Sequence, residues 1–261
     1  MLQAINERGE RIIPSNFSAK EIKLLRQQTF YCPICKEKVI IRAGPKVIPH
    51  FAHLATSTCV TVKTNETNYH KRAKIQLFNW LQLQQFPVQL EKYLRPIKQQ
   101  TDIFVKYKRE NYAIEFQNSQ LVVEDFINRI NGYKRLNINS LWLIGTKRLK
   151  QVALFTFRIP ASFQSLINVP SVHDPSNIIF YCPYEKRFTI LTDLYFVSTN
   201  LVFALPHYIP IQRATFHHLF LQTNFPQKKL LQLWLEKKKS FRLSVYPVYG
   251  QERQFRQWLY E

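Results

Sequence analysis

Three cysteines and two histidines fall within 28 consecutive residues, at Cys32, Cys35, His50, His53 and Cys59. This clustering constrains the chain more than any other feature. A segment that short buries little apolar surface of its own, and closing around one metal ion would supply its folding energy. Cys32-Pro-Ile-Cys35 has the spacing with which a tight knuckle presents two sulfurs to one ion. A second cluster of imidazole and thiolate completes the tetrahedral set that zinc prefers. Five candidates compete for four places: Cys32, Cys35, His53 and Cys59 are the expected ligands, with His50 as the alternate or as a supporting group. No Glu stands inside His50-Phe-Ala-His53 to act as a base, so the expected Zn²⁺ is structural. The same knuckle favours metal binding over a disulfide framework.

Charge is the second strong signal. Lys and Arg number 37 against 17 Asp and Glu, a formal net charge of +20. Residues 1–60 carry 9 basic and 4 acidic side chains, 61–150 carry 16 and 7, and 151–261 carry 12 and 6. The excess is therefore spread along the chain and is not a tail. A polyanion releases counterions on meeting such a surface, which makes nucleic acid the expected partner. With 46% hydrophobic and 14% aromatic residues, global disorder is excluded. No apolar run reaches the roughly 18 residues of a membrane span, and the start is too polar for a signal peptide, so a cytoplasmic protein is expected.

Three regions suggest themselves: 1–62 with the close-spaced Cys and His, 63–157, and 158–261. The middle one is the most legible. Thr64 or Asn65 can cap a helix opening at Glu66, with Ile75, Leu77, Phe78, Trp80 and Leu81 as apolar positions. Val88–Leu94, Asp102–Tyr107 and Tyr112–Gln117 read as strands, the last two joined by the polar Lys108–Asn111. Ser119 can cap a helix running to about Leu136, and Ser140–Gly145 reads as a short buried strand. Helix, three strands, helix, strand is an α/β layer pattern.

Acids are scarce, so their positions are informative. A turn centred between Arg109 and Glu110 would set Asp102 opposite Gln117, with Glu115 on the diagonal and all three on one face. Metal-dependent nucleases use such a convergence: two carboxylates hold Mg²⁺ or Mn²⁺, and the ion polarises the phosphate and activates a water. Asp102 and Glu115 are the expected ligands and Gln117 the group that orients water or phosphate. A lysine is frequent at that last position; a carboxamide brings no charge, which weakens the site or shifts the work to Lys74. Glu66, His70 and Lys74 recur at i, i+4, i+8 and share one helix face, from which they can assist. Arg129 and Tyr133, also four apart, can contact DNA or steady the site.

These motifs together resemble the CoiA family of competence proteins. The resemblance is carried by Tyr31-x-Cys-Pro-x-Cys35, His-Phe-Ala-His53, Glu66-x3-His-x3-Lys74, Asp102, Glu115-Phe-Gln-Asn-Ser119, Arg129-x3-Tyr133 and Leu141-Trp-Leu-Ile-Gly145. It implies a PD-(D/E)XK (restriction-endonuclease-like) core with Asp102, Glu115 and Gln117 at the motif positions, behind a small N-terminal zinc-binding module. It also implies a role in natural transformation, where incoming single-stranded DNA is processed toward recombination. Thr101 departs from the pattern, since Arg is common there. Two alternatives stand beside a nuclease: a catalytically inactive DNA-binding recombination factor, and an adaptor for a protein of the recombination machinery.

The region 158–261 is expected to be α-rich or mixed. Cys182 has no metal-spaced partner and reads as a buried thiol, and His217-His218 have no acid cluster beside them. Lys228–Arg242 reads as a basic amphipathic helix. Aromatic residues interleave with its charge, a combination that suits stacking of single-stranded bases.

Overall fold

Ser18 shows how closely local chemistry dictates the N-terminal fold. Its side chain accepts from the Glu21 amide while the Glu21 carboxylate accepts from the Ser18 amide, a reciprocal cap that starts helix α1 (Ala19–Leu25). The helix buries Ile22 and Leu25 against a five-stranded antiparallel sheet. Its strands are β1 (Ala4–Asn6), β2 (Arg11–Ile12), β3 (Phe30–Tyr31), β4 (Lys38–Gly44) and β5 (Val47–His53), in the order β2-β1-β3-β4-β5. Phe30 and Phe51, 5.0 Å apart between ring centres, join Val39, Ile41, Cys32 and Cys59 in its core.

The computed structural model describes residues 1–55, 57, 59, 66–120, 122–166 and 177–220. The basic helix expected over 228–242 and its aromatic neighbours lie outside them. The chain forms a mixed α/β structure with a large sheet and, among the described residues, three α-helices. It divides into two compact units: Met1–Phe116 with Ile127–Trp142, and Gln117–Phe126 with the chain from Leu143 onward.

In the first unit, helix α2 (Asn68–Leu83) is capped by Thr67, whose side chain accepts from the His70 amide. The expected start at Glu66 is thus two residues early, and Glu66 lies just before the cap. Ala73, Leu77, Phe78, Trp80 and Leu81 are buried, and so, unusually, are Lys71 and Lys74. The expected strand 88–94 is broken into β6 (Val88–Leu90) and β7 (Tyr93–Leu94) at Glu91, which takes a left-handed φ of +47°. β7 pairs with β8 (Gln99–Gln100). β6 pairs with β9 (Ile103–Tyr107), which forms a hairpin with β10 (Glu110–Gln117).

That hairpin corrects the expected register. The turn is two residues, Lys108 and Arg109, with Lys108 at φ +54°, and Ala113 faces Phe104 while Ile114 faces Ile103. One step further, Asp102 comes opposite Glu115 rather than Gln117. A shift of two leaves every side chain on its expected face. Helix α3 (Val123–Arg135) begins later than a Ser119 cap would give, and Asn137, at φ +51°, ends the turn that follows it. β11 (Ile138–Gly145) starts two residues before the expected strand.

Among its described residues the second unit is mostly strand, with short 3-10 turns, where an α-rich or mixed region was expected. β14 (Asn177–Cys182) runs parallel to the end of β11 and antiparallel to β15 (Arg187–Ser198). β15 pairs with β16 (Leu201–Pro210), and β13 (Thr156–Arg158) and β12 (Lys150–Ala153) follow outward. Runs such as Ile178-Ile-Phe-Tyr181 and Phe188-Thr-Ile-Leu191 favour strands because branched and aromatic side chains pack well on a pleated surface. Cys182 is a buried thiol, as its sequence setting suggested.

Phe51 is 1% exposed at the centre of the N-terminal sheet. Phe51→Ala should cost about 3–5 kcal/mol of unfolding free energy, measured by urea titration.

Candidate functional site

The N-terminal sheet brings four of the five metal candidates together. The donor atoms of Cys32, Cys35, His53 and Cys59 all lie within 4.8 Å of one another, with Cys35 Sγ 3.4 Å from His53 Nε2. The knuckle is shaped for this. Lys36 takes a left-handed φ of +66°, its amide donates to the Cys32 carbonyl, and the Ile34 amide points at Cys32 Sγ at 3.4 Å. Without a cation, burial and the neighbouring Cys59 and Cys32 sulfurs push the Cys35 thiol up to about 12. Three sulfurs and one imidazole form a donor set that could hold a zinc ion. β5 brings His53 to the sulfurs: His50 and His53 are three apart on one strand and face opposite ways. His50 instead sets its Nδ1 2.8 Å from the Ile48 carbonyl oxygen, outside the cluster.

A second cluster gathers around Lys74, whose residue is only 3% exposed. Its Nζ lies 2.6 Å from Glu66 Oε1, 2.7 Å from Glu91 Oε1 and 3.5 Å from Asp102 Oδ1. His70 Nε2 sits 3.1 Å from Asp102 Oδ2 and 3.5 Å from Glu66 Oε1, and the Phe116 amide donates to Asp102 Oδ2 at 2.9 Å. Glu66, His70 and Asp102 have donor atoms within 4.8 Å of one another, so they too could ligate a metal. Burial alone would push Asp102 up, but Lys74 and His70 outweigh it and hold the carboxyl well below its ordinary range. Burial likewise opposes the charge on Lys74 and on His70. Glu91, Asp102 and Glu66 raise Lys74, and Asp102 and Glu66 raise His70.

Glu91 is the member that sequence reasoning missed. One Glu91 Oε receives Lys74 and the other accepts the Leu2 amide at 2.6 Å, while the Gln3 carboxamide donates to the Leu90 carbonyl. The N-terminal strand, helix α2 and the β6–β7 break thus meet at one carboxylate. The available signal was an acid within the otherwise strand-like Val88–Leu94, where a charged side chain survives burial only if paired.

Glu115, 3% exposed, has a different setting. Arg129 reaches its Oε2 at 2.8 Å, Tyr133 donates to its Oε1, and Arg129 also donates to the Tyr133 hydroxyl and to the Gln100 carbonyl. Arg129 and Tyr133 therefore steady the carboxylate from α3. Burial pushes Glu115 up to about 7, with the Asp102 charge adding to it and Arg129 and Tyr133 resisting. Gln117, at the end of β10, belongs to the second unit; its amide donates to the Ser119 carbonyl at 3.1 Å and hydroxyl at 3.2 Å. Of the six carboxylate-site candidates, Glu66, His70, Lys74 and Asp102 are thus in mutual contact. Glu115 faces Asp102 across the hairpin with its own partners.

Glu91→Leu leaves Lys74 short of a carboxylate and Leu2 without an acceptor, and should cost about 3–5 kcal/mol in a urea titration at neutral pH. Because Lys74 depresses Glu91 despite its burial, the Glu91 contribution is complete above the ordinary value of 4.5 and is lost as pH falls through and below it. The deficit of the variant should accordingly shrink on acidification. At the other cluster, atomic absorption should find stoichiometric zinc in the wild-type chain and little in Cys59→Ser. Chelation should then lower the melting temperature of the wild type alone.

Comparison with known proteins assigns both regions of the chain to domains of one family. Residues 14–61 match the family model for the competence protein CoiA, N-terminal domain, and residues 66–224 match that for the competence protein CoiA, nuclease-like domain. The chain is 30% identical over 202 residues to competence protein CoiA of Bacillus subtilis (strain 168), covering 77% of this chain and 53% of the relative. It therefore spans about half the length of the curated relative it matches. No solved structure matches. The first domain match takes in the whole thiol and imidazole cluster, and the second begins at Glu66 and takes in every carboxylate that surrounds Lys74. Together they show that the chain belongs to the CoiA family of competence proteins.

Proposed function

We propose that this chain processes DNA during natural transformation, through a PD-(D/E)XK-type nuclease core in residues 63–157 that depends on Mg²⁺ or Mn²⁺. The observation that carries the reading is the placement of Asp102 opposite Glu115 on the β9–β10 hairpin, with Glu66 and His70 closing on Asp102. The element order of α2, β6, β9, β10, α3 and β11 supports it, and so does the nuclease-like family match. Zinc would hold the module of residues 1–62 together, and residues 158–261 would extend the basic surface.

A bound divalent ion would polarise the scissile phosphate and lower the pKa of an attacking water. Asp102 would remain a ligand at any working pH, because Lys74 and His70 hold it ionised. Glu115 would be the second ligand, and a divalent cation beside it would oppose the upward push of burial and favour its charged form. Gln117 would orient water or phosphate by hydrogen bonding, without charge. Substrate attraction would come from the net charge of +20, so DNA affinity should fall steeply with salt. The partner would be incoming DNA, single-stranded on this reading, and the compartment the cytoplasm. Among the described residues no helix is long and apolar enough to cross a membrane.

A second reading has its own observation. Lys74 already neutralises Glu66 and Asp102, and Gln117 stands where a charged lysine is frequent. The same scaffold would then bind DNA as a recombination factor, or act as an adaptor for a recombination protein, without cutting.

Labelled single-stranded and branched DNA, incubated with Mg²⁺, with Mn²⁺ or without added divalent metal, separates the two. The nuclease reading expects metal-dependent products that Asp102→Ala or Glu115→Ala reduces by roughly a hundredfold or more while binding persists. Tight, salt-sensitive binding with no products in either metal supports the non-cutting reading instead.

A further inference from the structure

Beside the carboxylates, a separate pocket of the first unit has a composition of its own. Its volume is about 310 Å³, and it lies between the loop at 96–99 and helix α3. Lys98 and Gln99 line it from the loop, and Asn128, Asn131, Gly132 and Arg135 from the helix. These helix positions follow one another at i, i+3, i+4 and i+7, so they form one face. No carboxylate lines the pocket, and Lys98 and Arg135 have no acidic partner among the described residues.

The pocket is shaped as well as charged. Lys98 takes a left-handed φ of +50° at the end of a 3-10 turn, Arg95–Ile97. Gln99 donates from Nε2 to the Asn128 carbonyl at 3.1 Å, which fixes its carboxamide over Gly132. A Cβ at Gly132 would lie 2.6 Å from Gln99 Nε2 and 2.7 Å from its Oε1. Only glycine lets helix and loop approach while the carboxamide keeps this place.

We propose that this pocket binds a phosphate of a nucleic-acid strand, as a subsite separate from the metal-binding carboxylates. Two cations and the carboxamides of Asn128 and Asn131 line one cavity and offer it N–H donors, the chemistry that recognises a phosphate oxyanion. Asn128 adjoins Arg129, the partner of Glu115, so α3 presents the pocket on one face and the carboxylate's support on another. The identity of the ligand rests on the DNA-processing reading; the oxyanion preference rests on the pocket alone. The competing account makes Arg135 a complement to the C-terminal end of the helix dipole, with a role in stability only.

The test is fluorescence anisotropy with labelled single-stranded DNA, over a series of salt concentrations, in the Glu115→Ala protein without added Mg²⁺ or Mn²⁺. Lys98→Ala/Arg135→Ala should weaken binding roughly tenfold and flatten the log–log salt dependence by about 0.7 for each phosphate that is no longer neutralised. Lys20→Ala/Lys23→Ala removes the same charge from exposed positions on α1 and serves as the reference. Gly132→Ala should displace Gln99 into the pocket and weaken binding with the charge unchanged. Inorganic phosphate against chloride at equal ionic strength distinguishes the ligand's source. Specific inhibition by phosphate shows that the free ion suffices; equal inhibition, with the pocket variants still weakened, shows that the phosphate must belong to a strand. The proposal is overturned if the pocket pair binds no more weakly than the α1 pair, or if Gly132→Ala binds like its parent. Since no cleavage is measured, absence of nuclease activity would sink the nuclease reading and leave this result standing.

Discussion

An ammonium group taken out of water must be surrounded by negative charge, and Lys74 is the place where this chain meets that requirement. Stranding such an ion costs several kcal/mol, so the fold has to deliver carboxylates to one point. Glu66 arrives from the segment before α2, Glu91 from the kink between β6 and β7, and Asp102 from the start of the hairpin. Three stretches of backbone are fixed relative to one another by one nitrogen atom. Leu2 and Gln3 then attach the N-terminal strand to the same kink. The carboxylates that would serve chemistry are therefore also the ones that organise the unit.

The contrast between Asp102 and Glu115 comes from the same arrangement. Glu115 is buried and Asp102 partly so, but Asp102 has Lys74, His70 and a backbone amide, while Glu115 has one guanidinium and one phenol and feels Asp102 nearby. The cations around Asp102 hold its carboxyl well below the ordinary range, while burial raises that of Glu115 against the pull of Arg129.

Much of this is legible in residue order. The knuckle, the candidate ligands and the order of helices and strands follow from spacing and alternation, which are local properties. The hairpin register differs by two positions from the expected one because a polar run of four residues does not reveal which two make the turn. Since two is the period of a strand, Asp102 and Glu115 share a face in either register. The start of α2 lies beyond the expected one because Thr64, Asn65 and Thr67 are all competent caps, and tertiary packing chooses among them. Glu91 stands out as an acid in a strand-like run, but its partners do not: they are Lys74, 17 residues before it, and Leu2, 89 residues before it. In the second unit β14–β15 and β15–β16 are local hairpins, but the pairings of β11 with β14 and of β13 with β16 join stretches distant in sequence, which no local pattern announces.

The bond from Leu2 to Glu91 is made by a peptide N–H, which nearly every amino acid possesses. Its specificity is consequently written in chain length and not in residue identity. Apart from proline, which lacks the hydrogen, any apolar residue that fits the buried side-chain position at residue 2 can keep it. Inserting or deleting a single residue between that point and β1 would bring a different amide to the carboxylate and turn the intervening side chains over. Position 2 is thus defined by its distance from β1 and by an apolar shape, whereas its neighbour Gln3 is defined by identity, through the side-chain bond to the Leu90 carbonyl.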